Sequence, residues 1–208
     1  MLEAIILCGG EGKRLRPLTE NIPKALIKVK GKPLIDYQIE WLKRHNVSKI
    51  ILACGYLSEK LRKYCGKKVL YSIEKEPLGT GGAIKKALEL VEGREFLVVN
   101  VDDLTDVNID EFRKIGSNAI CLARHRSNFG VVHTHGDKVL GFQEKPILDN
   151  IWVNMGIYLL NRDLKLPDKG SIEREIFPNI ELKAYKHNGF WHTINTMKDV
   201  EEFEGQHA

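Results

Sequence analysis

The chain has 208 residues, 43% hydrophobic and 29% charged, and its 32 Lys and Arg against 28 Asp and Glu leave a net charge of +4. That balance excludes charge-driven disorder and allows a sizeable core, and at about 150 residues per domain the length points to one domain or two. The mild, interspersed basicity is far short of a nucleic-acid arm but suits polyphosphate ligands. No apolar run approaches the roughly 20 residues of a membrane span, and Met1-Leu2-Glu3-Ala4 lacks a basic leader start.

In chain order, Ala4–Cys8 is the first apolar run of strand length, and a glycine-rich segment follows it directly. Ile35, Ile39 and Leu42 then share one helical stripe. Lys49–Cys54 reads as a second strand. The stretch 81–91 is helical, with Ile84, Ala87, Leu88 and Val91 on one side. Phe96–Asn100 and Ala119–Ala123 complete a set of four short runs that are apolar on both faces, as parallel strands covered by helices on both sides should be. Strand–helix alternation of this kind predicts an α/β fold with an open, mostly parallel Rossmann-like sheet and right-handed crossovers.

After about residue 118 the texture becomes β-rich. Val131–Thr134 and Lys138–Phe142 read as a hairpin turning at His135-Gly136-Asp137, and Trp152–Leu160 as a further strand. Ser171–Phe177 is a short helix capped by Ser171 with acids in its first turn, and Met197–Gly205 a terminal one. No linker, repeat or low-complexity tract divides the chain. The expectation is therefore a single domain over 1–208, with a nucleotide-binding half at about 1–118 and a mixed half at about 119–208. The four scattered cysteines, Cys8, Cys54, Cys65 and Cys121, form no CxxC pair. They read as reduced, buried thiols of a cytoplasmic protein, not as a disulfide frame or zinc site.

The segment Gly9-Gly10-Glu11-Gly12-Lys13-Arg14-Leu15-Arg16-Pro17-Leu18-Thr19 carries the first chemical signal. Glycines let backbone N–H groups approach an anion, and Lys13, Arg14 and Arg16 add positive charge beside them. The spacing is neither a Walker motif nor G-x-G-x-x-G, which disfavours a nicotinamide-binding Rossmann enzyme. Downstream come Pro23-Lys24-Ala25-Leu26, Lys32-Pro33-Leu34, Glu76-Pro77-Leu78-Gly79-Thr80-Gly81-Gly82, Asn100-Val101-Asp102-Asp103, Glu144-Lys145-Pro146 and Asn154-Met155-Gly156. With these, the chain resembles the sugar-1-phosphate nucleotidyltransferases over positions 1 to about 204. It is most similar to the branch acting with GTP on mannose- or heptose-1-phosphate.

The resemblance implies transfer of a nucleotidyl group from an NTP, GTP by preference, to a sugar 1-phosphate, with Mg²⁺ as cofactor and no nucleic-acid or membrane partner. It leaves room for a homo-oligomer. It implies Arg14, Lys24 and Asp102 as catalytic residues, with Asp102 also the metal ligand at the carboxyl end of its strand. Leu7, Gly9, Gly10, Gly12, Glu74, Gly79, Thr80 and Gly82 would bind the nucleotide. The acceptor-only Glu74 suits the N1–H and N2–H donors of guanine. Related uridylyl and cytidylyl branches carry similar T-G-G elements, so UTP or CTP is the alternative. Gly130, Glu144, Lys145 and Asn154 would hold the sugar phosphate, with Lys145 on the phosphate. Asp103 and Asp106 read as solvated or capping acids.

The chain departs from the family in two places. Val101 replaces a usual Gly. In Trp191-His192-Thr193-Ile194-Asn195-Thr196, Thr193 stands where the family's second metal-binding Asp is expected and Asn195 where a Gly is. A neutral hydroxyl is a poor Mg²⁺ ligand, so metal binding would rest on Asp102 and nucleotide phosphates. The competing reading is a degenerate relative that binds without turnover. The match contains no C-terminal left-handed β-helix of the kind that many relatives append.

Overall fold

The computed structural model describes residues 1–205. Its first half contains β1 (Glu3–Leu7), a small hairpin of β2 (Lys28–Val29) and β3 (Lys32–Pro33), α1 (Leu34–Arg44), β4 (Lys49–Cys54), α2 (Ser58–Cys65), β5 (Leu70–Ile73), α3 (Gly79–Ala87), β6 (Glu95–Asn100), β7 (Asp103–Thr105) and α4 (Ile109–Arg113). Then follow β8 (Ala119–Arg126), β9 (Val131–His135), β10 (Lys138–Gln143), β11 (Ile147–Asn161), α5 (Ile172–Glu175), β12 (Lys183–Lys186), β13 (Trp191–Thr193) and α6 (Met197–Gly205).

Seven strands form one sheet in the order β12-β8-β11-β6-β1-β4-β5. Strands β6, β1, β4 and β5 pair in parallel, β11 runs antiparallel to both β6 and β8, and β12 is parallel to β8. The sheet thus draws strands from both halves of the chain, with one reversed strand between two parallel sets.

Alternation along the central strands explains why they are apolar on both faces. Ala4 and Ile6 of β1, with Leu52, Leu97 and Val99, feed the larger core, where Leu34, Ile35, Ile39 and Leu42 of α1 pack. Ile5, Ile51 and Val98 point to the opposite face, against Ile84 and Ala87 of α3 and Ile172 of α5. Burying one such side chain fully stabilises the fold by about 1.5–3 kcal/mol, which is why a strand this short holds its place. All four cysteines are buried and free, as expected of reduced thiols. No helix among the described residues is long and apolar enough to cross a membrane.

The differences from expectation are local. The helix expected over 81–91 starts earlier, at Gly79, and passes into a 3-10 turn at Leu88–Leu90. The strand at Trp152–Leu160 extends to Ile147–Asn161. Helix α2 and strand β5 were not foreseen, because α2 buries only Ser58, Leu61 and Cys65, and β5 is an edge strand whose fully buried residue is a serine, Ser72. The hairpin β9–β10 turns where expected, with Gly136 in the left-handed region at φ 56°.

Candidate active site

Four parallel strands end at one edge of the sheet, and the segments leaving them wall a cleft of about 810 Å³. Strand β1 delivers residues 7–14, β4 delivers Gly55 and Tyr56, β5 delivers residues 74–77, and β6 delivers Val101 and Asp102. Strand β1 lies between β4 and β6, so the chain turns to opposite sides of β1 on successive crossovers. Open α/β sheets bind ligands at such a reversal, outside the carboxyl ends of the strands.

The glycine segment turns tightly because Gly12 adopts φ 62°, ψ 36° and opens a 3-10 turn at Lys13–Leu15. Thr19 closes the loop by donating its hydroxyl to the Gly12 carbonyl at 2.9 Å. Leu15 is fully buried and anchors the turn, which leaves Lys13 and Arg14 facing outward.

Glu74 follows β5 and lies against Gly9 at the start of the glycine segment. Its Oε2 accepts from the Leu78 backbone N–H at 3.1 Å, which ties the carboxylate to the approach of α3. Gly9 and Gly55 leave the space it occupies: a Cβ at Gly9 would lie 2.6 Å from Glu74 Oε1, and one at Gly55 2.7 Å from Glu74 Cγ. A Cβ at either position would force the Glu74 side chain to move, by its carboxylate end at Gly9 and by its Cγ at Gly55, so the two glycines leave room for the side chain as it stands.

A cationic cluster lies beside the glycine loop. Lys24 Nζ meets Asp102 Oδ2 at 2.5 Å and also donates to Asn195 Oδ1 at 3.0 Å. Arg14 Nη2 donates to the same Asn195 oxygen at 2.8 Å. The Lys24–Asp102 pair is largely buried, with side-chain exposures of 14% and 16%. The structure thus places Arg14, Lys24 and Asp102 in one cluster, joined by Asn195, which in the sequence is only a departure at a glycine position.

Asp103 corrects a second expectation. It is neither solvated nor a helix cap, because it is 6% exposed, opens strand β7 and is not among the residues lining the cleft. It pairs with Thr193 across the β7–β13 ribbon. Asn100 Nδ2 donates to its Oδ2 at 3.0 Å and Trp191 Nε1 to its Oδ1 at 3.1 Å, with the Thr193 hydroxyl as a third partner. Burial pushes this carboxyl up to about 7 and the Asp102 charge adds to the rise, while the three hydrogen bonds pull it back. Asp106 is exposed, as a solvated acid should be, but caps no helix: its Oδ1 accepts from Phe190 N and bonds His187 Nε2, both at 2.8 Å, in the loop before β13, while Asn108 caps α4.

Thr193 therefore faces Asp103 and is not among the residues lining the cleft, whereas Asn195 is. Leu7, Gly9, Gly10, Gly12, Arg14, Lys24, Glu74, Gly79, Thr80 and Asp102 also line it. Gly82 does not. It is buried, and a Cβ there would meet the Asp168 carbonyl at 2.4 Å, so its smallness lets α3 pack on the 167–170 loop. The Thr80 hydroxyl is engaged by Glu173 Oε2 at 2.6 Å, leaving backbone as what Thr80 offers a ligand.

The residues expected on the sugar side lie outside this cleft. Glu144 and Lys145 are exposed beyond β10, and a Cβ on Gly130 would meet the Phe142 ring at 2.3 Å and Glu144 Oε2 at 3.1 Å. Asn154 donates to the Tyr158 hydroxyl at 2.7 Å, and Tyr158 passes the chain on to Glu173 Oε1 at 3.2 Å. Burial works against the charged form of Glu173, yet the hydrogen bonds from Ser171 and Thr80 outweigh it and hold this carboxyl below the usual range. In the sequence Glu173 reads only as an acid in the first turn of the helix that Ser171 caps, and nothing there shows that it joins α3, α5 and β11. Sequence reading also missed Gly55, although Gly55 follows an apolar strand just as Gly9 does.

A family model described as Nucleotidyl transferase matches residues 3–175. The chain is 35% identical over 219 residues to the D-glycero-alpha-D-manno-heptose 1-phosphate guanylyltransferase of Campylobacter jejuni, covering 97% of this chain and 98% of that one. It is 36% identical to the mannose-1-phosphate guanylyltransferase catalytic subunit beta of Danio rerio over 95% of this chain, and spans 62% of that longer protein. A crystal structure of HddC from Yersinia pseudotuberculosis complexed with GMP-PN superposes with a TM-score of 0.80 at 28% identity, covering 98% of each chain.

Proposed function

The chain belongs to the nucleotidyl transferase family, and from that premise we propose that it transfers the guanylyl group of GTP to a sugar 1-phosphate. An oxygen of the sugar phosphate attacks the α-phosphorus, the bond from that phosphorus to the β-phosphate bridging oxygen breaks, and pyrophosphate leaves. Such transfer needs positioning and charge neutralisation more than covalent catalysis. The observation that carries the reading is the Arg14–Asn195–Lys24–Asp102 cluster at the strand-end cleft, which Glu74 also lines.

Arg14 and Lys24 neutralise charge that gathers on the α-phosphate and the departing pyrophosphate, the usual electrostatic solution for a doubly charged centre. The loop at Gly9, Gly10 and Gly12 offers backbone N–H groups to the phosphates. Glu74 accepts from the guanine N1–H and N2–H, a pairing that uracil and cytosine do not match. The named activities of the heptose and mannose relatives support this choice of base, as does the guanine nucleotide in the HddC complex.

The residues present fit a divalent cation carried mainly by its substrate. Among the described residues no group of three His, Cys, Asp or Glu is placed to hold a metal ion, while Asp102 brings one carboxylate to the cleft beside Lys24. Mg²⁺ held by Asp102 and phosphate oxygens would supply charge neutralisation on the triphosphate, in keeping with its preference for one or two carboxylates. Gly130, Glu144, Lys145 and Asn154 are assigned to the sugar phosphate on the strength of their motifs.

Pyrophosphate release tests the proposal, with GTP, UTP, CTP and dTTP each offered with mannose, heptose and glucose 1-phosphates. Turnover led by GTP supports it. Turnover led by UTP removes the guanine assignment and leaves the family reaction. No turnover with any pair overturns it in favour of a binding protein.

A further inference from the structure

We infer that Asn195 is a positioning residue: it holds the Arg14 and Lys24 cations side by side, and it is itself aimed by a relay from Thr193 and Asp103. The inference rests on the nucleotidyltransferase reading for its kinetics but not for its geometry. Arg14 Nη2 and Lys24 Nζ converge on one carboxamide oxygen, at 2.8 and 3.0 Å. A point on which two cationic donors converge is where a phosphate oxygen would sit, and here a neutral acceptor sits beside it.

Two independent constraints fix that oxygen. The Asn195 backbone N–H donates to Asp199 Oδ2 at 2.8 Å, and the Thr196 N–H donates to the same atom at 2.7 Å, so the main chain is pinned at the start of α6. On the side chain, Asn195 Nδ2 donates to Thr193 Oγ1 at 2.7 Å. The Thr193 hydroxyl hydrogen bonds the buried Asp103, whose other partners are Asn100 and Trp191. Thr193 must therefore accept from Asn195, which leaves the carboxamide oxygen facing the cations, where only an acceptor is satisfied.

The choice of an amide has an electrostatic consequence. A carboxylate at 195 would hold the same two cations but would cancel part of their charge and compete with incoming phosphate. A neutral oxygen orients them and leaves their charge available to the ligand. Thr193 and Asn195 thus act as a unit. The hydroxyl that is a poor metal ligand serves to aim the amide two residues later.

The test uses the whole protein, with two readouts. In steady-state kinetics Asn195→Ala should lower kcat about tenfold or more while its melting temperature stays near that of the parent. The loss should nearly vanish in an Arg14→Ala, Lys24→Ala background, because a residue acting through those cations has nothing left to act on. Thr193→Val should show a smaller loss of the same kind, and Thr193→Ser should recover most of it. The second readout is calorimetric binding of inorganic pyrophosphate without metal, which needs no turnover. Asn195→Ala should weaken it about tenfold and Asn195→Asp further still. Losses that add in full to those of Arg14→Ala and Lys24→Ala, or pyrophosphate affinity unchanged by either Asn195 variant, overturn the inference even if the enzyme is active. If no NTP is turned over, the functional reading falls while the pyrophosphate comparison still decides the role of Asn195.

Discussion

An alanine at Gly55 should damage both the stability of the protein and its choice of base, through one side chain it would touch. Its Cβ would stand 2.7 Å from Glu74 Cγ, 2.8 Å from Oε1 and 3.2 Å from Cδ. Glu74 has little room to retreat, because its backbone N–H is bonded to the Cys54 carbonyl at 2.9 Å and Gly9 closes the other side. The side chain must rotate away, and in doing so it gives up the Leu78 N–H at 3.1 Å. Overpacking and one lost charge-assisted hydrogen bond together cost about 1–3 kcal/mol. At this chain length that is a melting shift of roughly 3–10 °C, which urea unfolding followed by circular dichroism would also resolve. If Glu74 reads guanine, GTP affinity should fall about tenfold or more relative to UTP, since the lost contacts are specific to guanine's two donors. A shortened acid, Glu74→Asp in the Gly55→Ala background, should recover stability without recovering the GTP preference. A Gly55→Ala protein within about 0.5 kcal/mol of the parent, with its GTP-to-UTP ratio unchanged, would refute the reasoning.

Arg14→Ala and Lys24→Ala should each lower kcat by on the order of 10²-fold with smaller changes in KM, because their charges meet density that builds during transfer; normal kcat with a raised KM would make them ground-state binders. Thr193→Asp should destabilise the protein by about 1–3 kcal/mol, since it sets a second carboxylate against the buried Asp103 instead of into the cleft. Excess Mg²⁺ should not restore that loss, and a metal-dependent gain in melting temperature would show that position 193 reaches the metal. Glu173 has its carboxyl held below the usual value of 4.5, so the stability it contributes is complete above about pH 4.5 and is lost as pH falls through its folded value. Glu173→Gln should be less stable than the parent at pH 7 and show a flatter fall between pH 5 and pH 3 in urea titrations; parallel curves would remove Glu173 from the acid response.

Much of this architecture is legible in the one-dimensional pattern, and the reason is periodicity. Runs such as Ile5-Ile6 and Val98-Val99 are short, β-branched and apolar at consecutive positions, as a strand covered on both faces requires, and the structure puts them at the centre of the sheet. The glycine loop, Lys24 and Asp102 were legible as well, because each lies just after a strand end or in a motif whose spacing is local. Helix α2 and strand β5 were not, since their few buried residues make no pattern that stands out from a loop.

What only the tertiary structure decided concerns side chains far apart in sequence. Asp103 and Thr193 are ninety residues apart along the chain, and their cross-strand pairing turns an acid that reads as solvated into a buried one. Gly55 and Glu74 show the same thing, since nothing local in either segment announces that one needs the other's missing Cβ. In the sequence Asn195 stands only at a glycine position, and it is the fold that makes Arg14 and Lys24 converge on its side chain. Local sequence sets backbone propensity and the face a residue takes, because those energies arise between neighbours along the chain. Which donor meets which acceptor across a cleft is settled only when the sheet brings its strand ends together.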